Sequence, residues 1–174
     1  MKVITGKFKG RIIKAPLGMN TRPTKQRIKE SIFNILENQF NFKDKVIADV
    51  FAGSGGFALE ALSRGAKMAY LFEKDYNAIK AINENFKNIE DYKIIKDATK
   101  HNVSEVFDLL YFDPPYEKDL LNLSIPLFTK NKLIHDNSII ITETSIDEVT
   151  EFQGLVKTDT RVYGKTKIDF FKKE

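Results

Sequence analysis

The stretch Val46-Ile47-Ala48-Asp49-Val50-Phe51-Ala52-Gly53-Ser54-Gly55-Gly56 decides how this chain is read. Its apolar half is a buried strand, and its Gly-rich half is a turn that delivers a helix from Phe57 to Arg64, closed by Gly65. Glycines at 53 and 55 let the backbone approach a ligand where a Cβ would stand in the way. Gly53, Gly55 and Ala58 also fit the dinucleotide fingerprint G-x-G-x-x-G/A. The two readings part at Asp49, because a carboxylate beside the turn repels a pyrophosphate and attracts a ligand carrying an ammonium and a sulfonium.

Strands and helices alternate downstream of this turn. Met68 to Phe72 reads as a strand ending at Glu73, followed by a helix from about Asp75 to Ile89 with Ala78, Ile79, Ile82 and Phe86 inward. Further strands run over Tyr92 to Ile95, ending near Asp97, over Asp108 to Phe112, and over Ser138 to Thr142. A helix covers Leu120 to Phe128, and Leu155 to Tyr163 with Thr166 to Phe171 make a closing hairpin. The expected fold is therefore α/β, a mostly parallel seven-stranded sheet with an antiparallel hairpin at its C-terminal end. In such sheets ligands bind at the carboxyl ends of the strands. Asp49, Glu73, Asp97 and Asp113 all fall there.

Upstream lies a region of different composition. The first 29 residues hold nine Lys or Arg and no acid, whereas the remainder carries 19 basic against 24 acidic residues. A basic arm on an acidic body suits a polyanion bound at one end. Val3 to Lys14 reads as a hairpin around Gly6 to Gly10 with its Lys and Arg outward. Pro23 holds Arg22 extended, and Thr24 stands where it can cap a helix whose apolar stripe is Ile28, Ile32, Ile35 and Leu36. Arg22, Lys25 and Lys29 fall off that stripe. Residues 1–40 are thus expected to form a basic extension and residues 41–174 the main domain.

The length of 174 residues fits one compact domain. The absence of cysteine excludes disulfides, thiolate metal centres and thiol nucleophiles, and His101 and His135 alone make no histidine metal site, so no metal is expected. No apolar run is long enough to span a bilayer and the opening residues lack a secretory signal's apolar stretch, so a cytoplasmic protein without membrane association is expected.

The most specific motif is Asp113-Pro114-Pro115-Tyr116. Two prolines lock the turn after a strand and hold the Asp113 carboxylate and the Pro114 carbonyl in a set relation. Two acceptors and the flat face of Tyr116 suit a planar base bearing an amine.

Together with the turn at Asp49 and with Glu73, this motif resembles the class I S-adenosylmethionine-dependent methyltransferases that modify base amines. Thr21-Arg22-Pro23-Thr24, Lys29 to Leu36, Phe51 to Gly55, Leu59 to Ala66 and Asp113 to Tyr116 more narrowly resemble the RsmD family. The likeness runs in order along nearly the whole chain. It departs at Lys29 and Ser31, where the family usually has Arg and Ala, at Gly56-Phe57-Ala58, which replaces Ala-Leu-Gly, and in a short segment after Tyr116. The resemblance implies a Rossmann-like methyltransferase, expected as a monomer, acting on the N2 amine of a guanine in 16S ribosomal RNA or a small-subunit particle. It implies that S-adenosylmethionine meets Asp49, Phe51, Gly53, Gly55, Glu73, Asp97 and Ala98. Asp113, Pro114, Pro115 and Tyr116 would then serve the transfer, and Lys9, Arg11, Arg22, Thr24, Lys25 and Lys29 the RNA. A nicotinamide-dependent oxidoreductase, a methyltransferase for another RNA base amine, and a catalytically silent RNA-binding assembly factor are the alternatives.

Overall fold

A computed structural model describes residues 1–18, 23–115 and 119–174, with the backbone alone at Pro23 and Thr24. Its elements in chain order are α1 (Pro23–Glu37), β1 (Val46–Val50), α2 (Gly56–Ser63), β2 (Met68–Phe72), α3 (Tyr76–Asn85), β3 (Tyr92–Ile95), β4 (Phe107–Phe112), α4 (Leu120–Lys130), β5 (Ile134–Ser145), β6 (Leu155–Tyr163) and β7 (Thr166–Lys173). One seven-stranded sheet carries them in the order β3-β2-β1-β4-β5-β7-β6. The first five strands are parallel, while β7 pairs antiparallel with both β5 and β6. The expected α/β architecture and its closing hairpin are both present.

Each face of the sheet packs its own core. Ile47, Leu109, Tyr111 and Ile141 meet α1, α2 and α3 through Phe33, Leu36, Leu59, Leu62 and Ile82. On the other face Ala48, Val50, Phe72, Leu110 and Phe112 meet α4 through Leu121, Ile125 and Phe128. From β1 the chain moves outward through β2 and β3 and then returns to β4 on the opposite side of β1. This reversal opens a crevice between the carboxyl ends of β1 and β4.

Several boundaries differ from those expected, each for a local reason. The arm is a short hairpin rather than a pair of full strands: Val3 N donates to Arg11 O at 2.9 Å, Gly10 N to Val3 O at 2.9 Å and Ile13 N to Met1 O at 2.8 Å around the bridge of Lys2 to Ile12, while its other donors reach the body of the protein. Ile4 N and Thr5 N donate to the Glu60 carboxylate at 2.8 and 3.1 Å, and Lys14 N donates to Asn85 Oδ1 at 2.9 Å. Helix α1 begins at Pro23, so Thr24 lies within the first turn and not before it; proline's fixed φ suits that first position. Strand β5 reaches Ser145, because β7 pairs with it from Ile140 onward and buries Thr142, Glu143 and Thr144, polar residues that read as the end of a strand.

The arm packs into the core of the main domain. Val3 and Ile13 sit in the same core as Ile28, Ile32 and Phe33 of α1 and Leu59 of α2. Glu60, fully buried on α2, gathers the polar side of this junction: beyond the two arm amides it takes Arg64 Nε at 3.0 Å and faces Lys29 Nζ at 3.7 Å. Gly6 allows the close approach, since a Cβ there would fall 1.8 Å from Ser63 O. Removing the Glu60 carboxylate strands Lys29, which is only 6% exposed, without its counter-charge. Glu60→Ala is expected to cost about 3 to 5 kcal/mol, read as a lower urea midpoint at unchanged slope.

Candidate functional site

The crevice is a cleft of about 440 Å³ that brings Asp49, Phe51, Gly53, Glu73, Asp97, Ala98, Asp113, Pro114 and Pro115 to one wall-to-wall space. Each comes from the end of a strand. The turn after β1 is pinned to the end of β2 by three hydrogen bonds: Phe51 N and Ala52 N donate to Phe72 O at 2.9 and 3.1 Å, and Gly53 N donates to Glu73 Oε2 at 2.9 Å. Phe51 takes a left-handed conformation, φ 67°, which a bulky side chain adopts only where its surroundings require it.

Asp49 is 2% exposed and its Oδ2 accepts from Ala58 N, in the first turn of α2, at 3.0 Å. The carboxylate therefore occupies the helix N-terminus where a pyrophosphate would otherwise lie, which argues against the dinucleotide reading. Burial pushes the Asp49 carboxyl up to about 8; the hydrogen bond from Ala58 opposes this, and the charges of Asp113 and Glu73 add to it. A cationic ligand in the cleft would return it to the ionised form.

The two glycines of the turn do different work. A Cβ on Gly53 would meet nothing within 4 Å, and this residue lines the cleft with φ +56°. Gly55 does not line it. Its missing Cβ makes room for Phe86 and Leu71, which would lie 2.7 and 2.8 Å away, and its left-handed backbone caps α2. Tight packing against Phe86 and Leu71 accounts for the glycine at this position.

Glu73 Oε1 accepts from Lys74 N at 2.8 Å and Asp75 N at 2.9 Å, while among the described residues Oε2 takes only Gly53 N and has a lone pair left for a hydroxyl. Asp97 Oδ1 accepts both Thr99 N and Thr99 Oγ1 at 2.8 Å, which holds its carboxyl below the usual range and leaves Oδ2 to face a donor. Ala98 beside it is buried, as are Phe72 and Ala78. A polar rim over an apolar floor suits a nucleoside.

Opposite this pocket, Asp113 ends β4. Its Oδ2 lies 2.7 Å from Lys25 Nζ, an ion pair that carries α1 across the mouth of the cleft. Lys25, expected to face phosphate, thus meets the motif carboxylate. Pro114 is buried and Pro115 exposed; Tyr116, Arg22 and the Thr24 side chain lie outside the described residues. Lys29 also lines the cleft, but it is buried, with Nζ 3.1 Å from Lys2 O and paired with Glu60, and does not stand on an exposed face. Lys9 is exposed and Arg11 donates to Lys87 O at 2.6 Å; neither lines the cleft.

Among the lining residues that escaped sequence reasoning are Lys74, Lys96 and Glu143. Lys74 and Lys96 add exposed positive charge beside Glu73 and Asp97, and their adjacency to those strand-end acids was the available signal. Glu143 lies one residue past the expected end of β5, 3% exposed, accepting the Tyr111 hydroxyl. Burial pushes its carboxyl up to about 7, with the charge of Asp113 next in importance and Lys25 opposing. Tyr111 is itself stacked on Phe57, ring centroids 4.2 Å apart. Among the described residues no group of three His, Cys, Asp or Glu is placed to hold a metal ion, and no helix is long and apolar enough to cross a membrane.

The family model described as Conserved hypothetical protein 95 matches residues 1–172. YlbH of Bacillus subtilis (strain 168) is 34% identical over 184 residues, covering 99% of this chain and 99% of its own. Ribosomal RNA small subunit methyltransferase D of Buchnera aphidicola subsp. Acyrthosiphon pisum (strain APS) is 34% identical over 147 residues, 81% of this chain and 76% of its own. The solved structure of yhhF from Escherichia coli superposes with a TM-score of 0.87 at 26% identity, over 100% of this chain and 98% of that one.

The raised Asp49 carboxyl sets a pH dependence of the ligand-free protein. The folded state holds this proton more tightly than the unfolded chain, so ionisation between about pH 4 and about pH 8 removes stability as pH rises. Asp49→Asn is expected to flatten that fall, measured as urea-unfolding free energies across the same range.

Proposed function

The chain belongs to the family described as Conserved hypothetical protein 95, the family of the ribosomal RNA small subunit methyltransferase D proteins, and from that membership we propose that it methylates the N2 amine of a guanine in small-subunit ribosomal RNA. The observation that carries the proposal is the convergence of Asp49, Glu73 and Asp97 with Asp113 and Pro114 in one cleft at the reversal of the strand order.

The residues present fit S-adenosylmethionine, whose sulfonium supplies an activated methyl group. Asp49, buried and short of a counter-charge, would hold its ammonium; the open backbone at Gly53 accommodates close approach; Glu73 Oε2 has a lone pair for a ribose hydroxyl; Asp97 with Ala98 would receive the adenine. A guanine amine is a poor nucleophile because its lone pair is delocalised into the ring. Acceptors at Asp113 and at the Pro114 carbonyl favour the pyramidal amine and the positive charge that develops on nitrogen. Holding the amine in place supplies much of the remaining acceleration. The ammonium of Lys25 stands on Asp113 at 2.7 Å, so an entering base exchanges one cation for another developing at the same carboxylate.

Glu73→Ala is expected to weaken S-adenosylmethionine binding by about 1 to 3 kcal/mol by calorimetry; unchanged affinity in a folded variant would remove Glu73 from the ribose. Asp113→Ala is expected to lower the methyl-transfer rate by about 10² to 10³ with cofactor affinity retained, the product being N2-methylguanine by mass mapping of the RNA. Transfer at the wild-type rate, or a methyl on a ring carbon or ribose oxygen, would overturn the mechanism.

A further inference from the structure

Glu143 is a buried carboxylate in the cleft to which amine methylation assigns no task. The register Phe112 to Thr142 between β4 and β5 sets the next residues, Asp113 and Glu143, side by side at the carboxyl ends of adjacent parallel strands, and both line the cleft. The Tyr111 hydroxyl donates to Glu143 Oε2, and Tyr111 is clamped by its stacking on Phe57, so the carboxylate is held in one orientation. Among the described residues Oε1 has no hydrogen-bond partner. Burying an anion is costly unless donors meet it, and a built, half-satisfied carboxylate beside the acceptor for the target amine is suited to a second donor on the same ligand.

Guanine offers such a pair, since N1–H and the 2-amine are neighbouring donors on its Watson–Crick edge. Adenine and cytosine present an acceptor at the ring nitrogen next to their amine. A base that has left its stack is read on that edge. We propose that Glu143 is a specificity-determining residue, its Oε1 accepting guanine N1–H while Asp113 accepts the 2-amine. Tyr111 is the positioning residue that holds Glu143 for this. The inference rests on the guanine-amine reading and gives it a chemical basis for choosing guanine.

The test uses 2-aminopurine, which keeps the 2-amine and replaces N1–H by an acceptor. Once the methylated guanine has been mapped, small-subunit ribosomal RNA is ligated with guanine or 2-aminopurine at that position and assayed at pH 8.5, above the value of about 7 to which burial raises Glu143. The wild-type protein is expected to lose about tenfold to a hundredfold in kcat/KM on 2-aminopurine, the penalty for an unmet buried acceptor. Glu143→Gln, whose amide both accepts and donates, is expected to bring the two substrates to within about threefold of one another. Should that variant fail to fold, Tyr111→Phe leaves Glu143 without its donor and is expected to narrow the same ratio by a smaller factor. An unchanged ratio in a folded variant that still methylates guanine overturns the role of Glu143 alone. Absence of N2-methylguanine from the wild-type reaction overturns the underlying reading as well.

Discussion

Asp49 is a carboxylate held almost out of water at the edge of the sheet, and its burial constrains everything around the cleft. One oxygen is committed to the first turn of α2 at Ala58 N, so β1, the turn and α2 are joined by a single side chain. The turn between them is closed by Glu73 on Gly53 N and by Phe72 O on two successive amides, which forces Phe51 to positive φ. A strained turn of this kind survives only because strand, helix and neighbouring strand all determine it at once. The remaining deficit, a buried carboxyl whose ionised form has little positive charge beside it, is the property that suits the cleft to a cationic ligand.

Three acidic side chains continue this logic across the sheet. Asp49, Asp113 and Glu143 come from the ends of β1, β4 and β5 and line one cleft, with Lys25 opposing the excess charge and touching Asp113 directly. After burial, the charge of Asp113 raises the proton affinity of both Asp49 and Glu143, and Lys25 opposes it at each. Tyr111 and Phe57 beneath these side chains contribute an apolar, rigid floor that fixes Glu143 in place.

The position of Lys25 is a consequence of the arm. Glu60 ties the first residues of the chain to α2, Lys29 is drawn inward to the same carboxylate, and α1 is thereby laid over the cleft with Lys25 at its mouth. Two lysines four residues apart on one helix thus both line the cleft in different states, Lys29 buried against Glu60 and Lys25 exposed on Asp113. The charge imbalance of the first 29 residues is consequently a poor guide to which cations remain available, since Lys29, Arg11 and Lys14 are all engaged by the body of the protein.

Sequence alone determined the alternation of strands and helices, the strand-end acids Asp49, Glu73, Asp97 and Asp113, and the rigid Asp113-Pro114-Pro115 turn. These are local properties: apolar runs, glycine and proline conformations, and residue types at fixed offsets from a strand. Gly55 was legible as a glycine that the turn requires, but whether its missing side chain made room for a ligand or for Phe86 depended on where α3 packs. Glu143 was hidden because a polar Thr-Glu-Thr sequence reads as the end of a strand, and only pairing with β7 extends β5 through it. Lys29 and Lys25 follow the same helical periodicity, and only the location of Glu60 and Asp113, 31 and 88 residues away along the chain, separates the buried cation from the exposed one. Tertiary structure decided these because burial and charge pairing are set by neighbours in space, which periodicity along the chain does not specify.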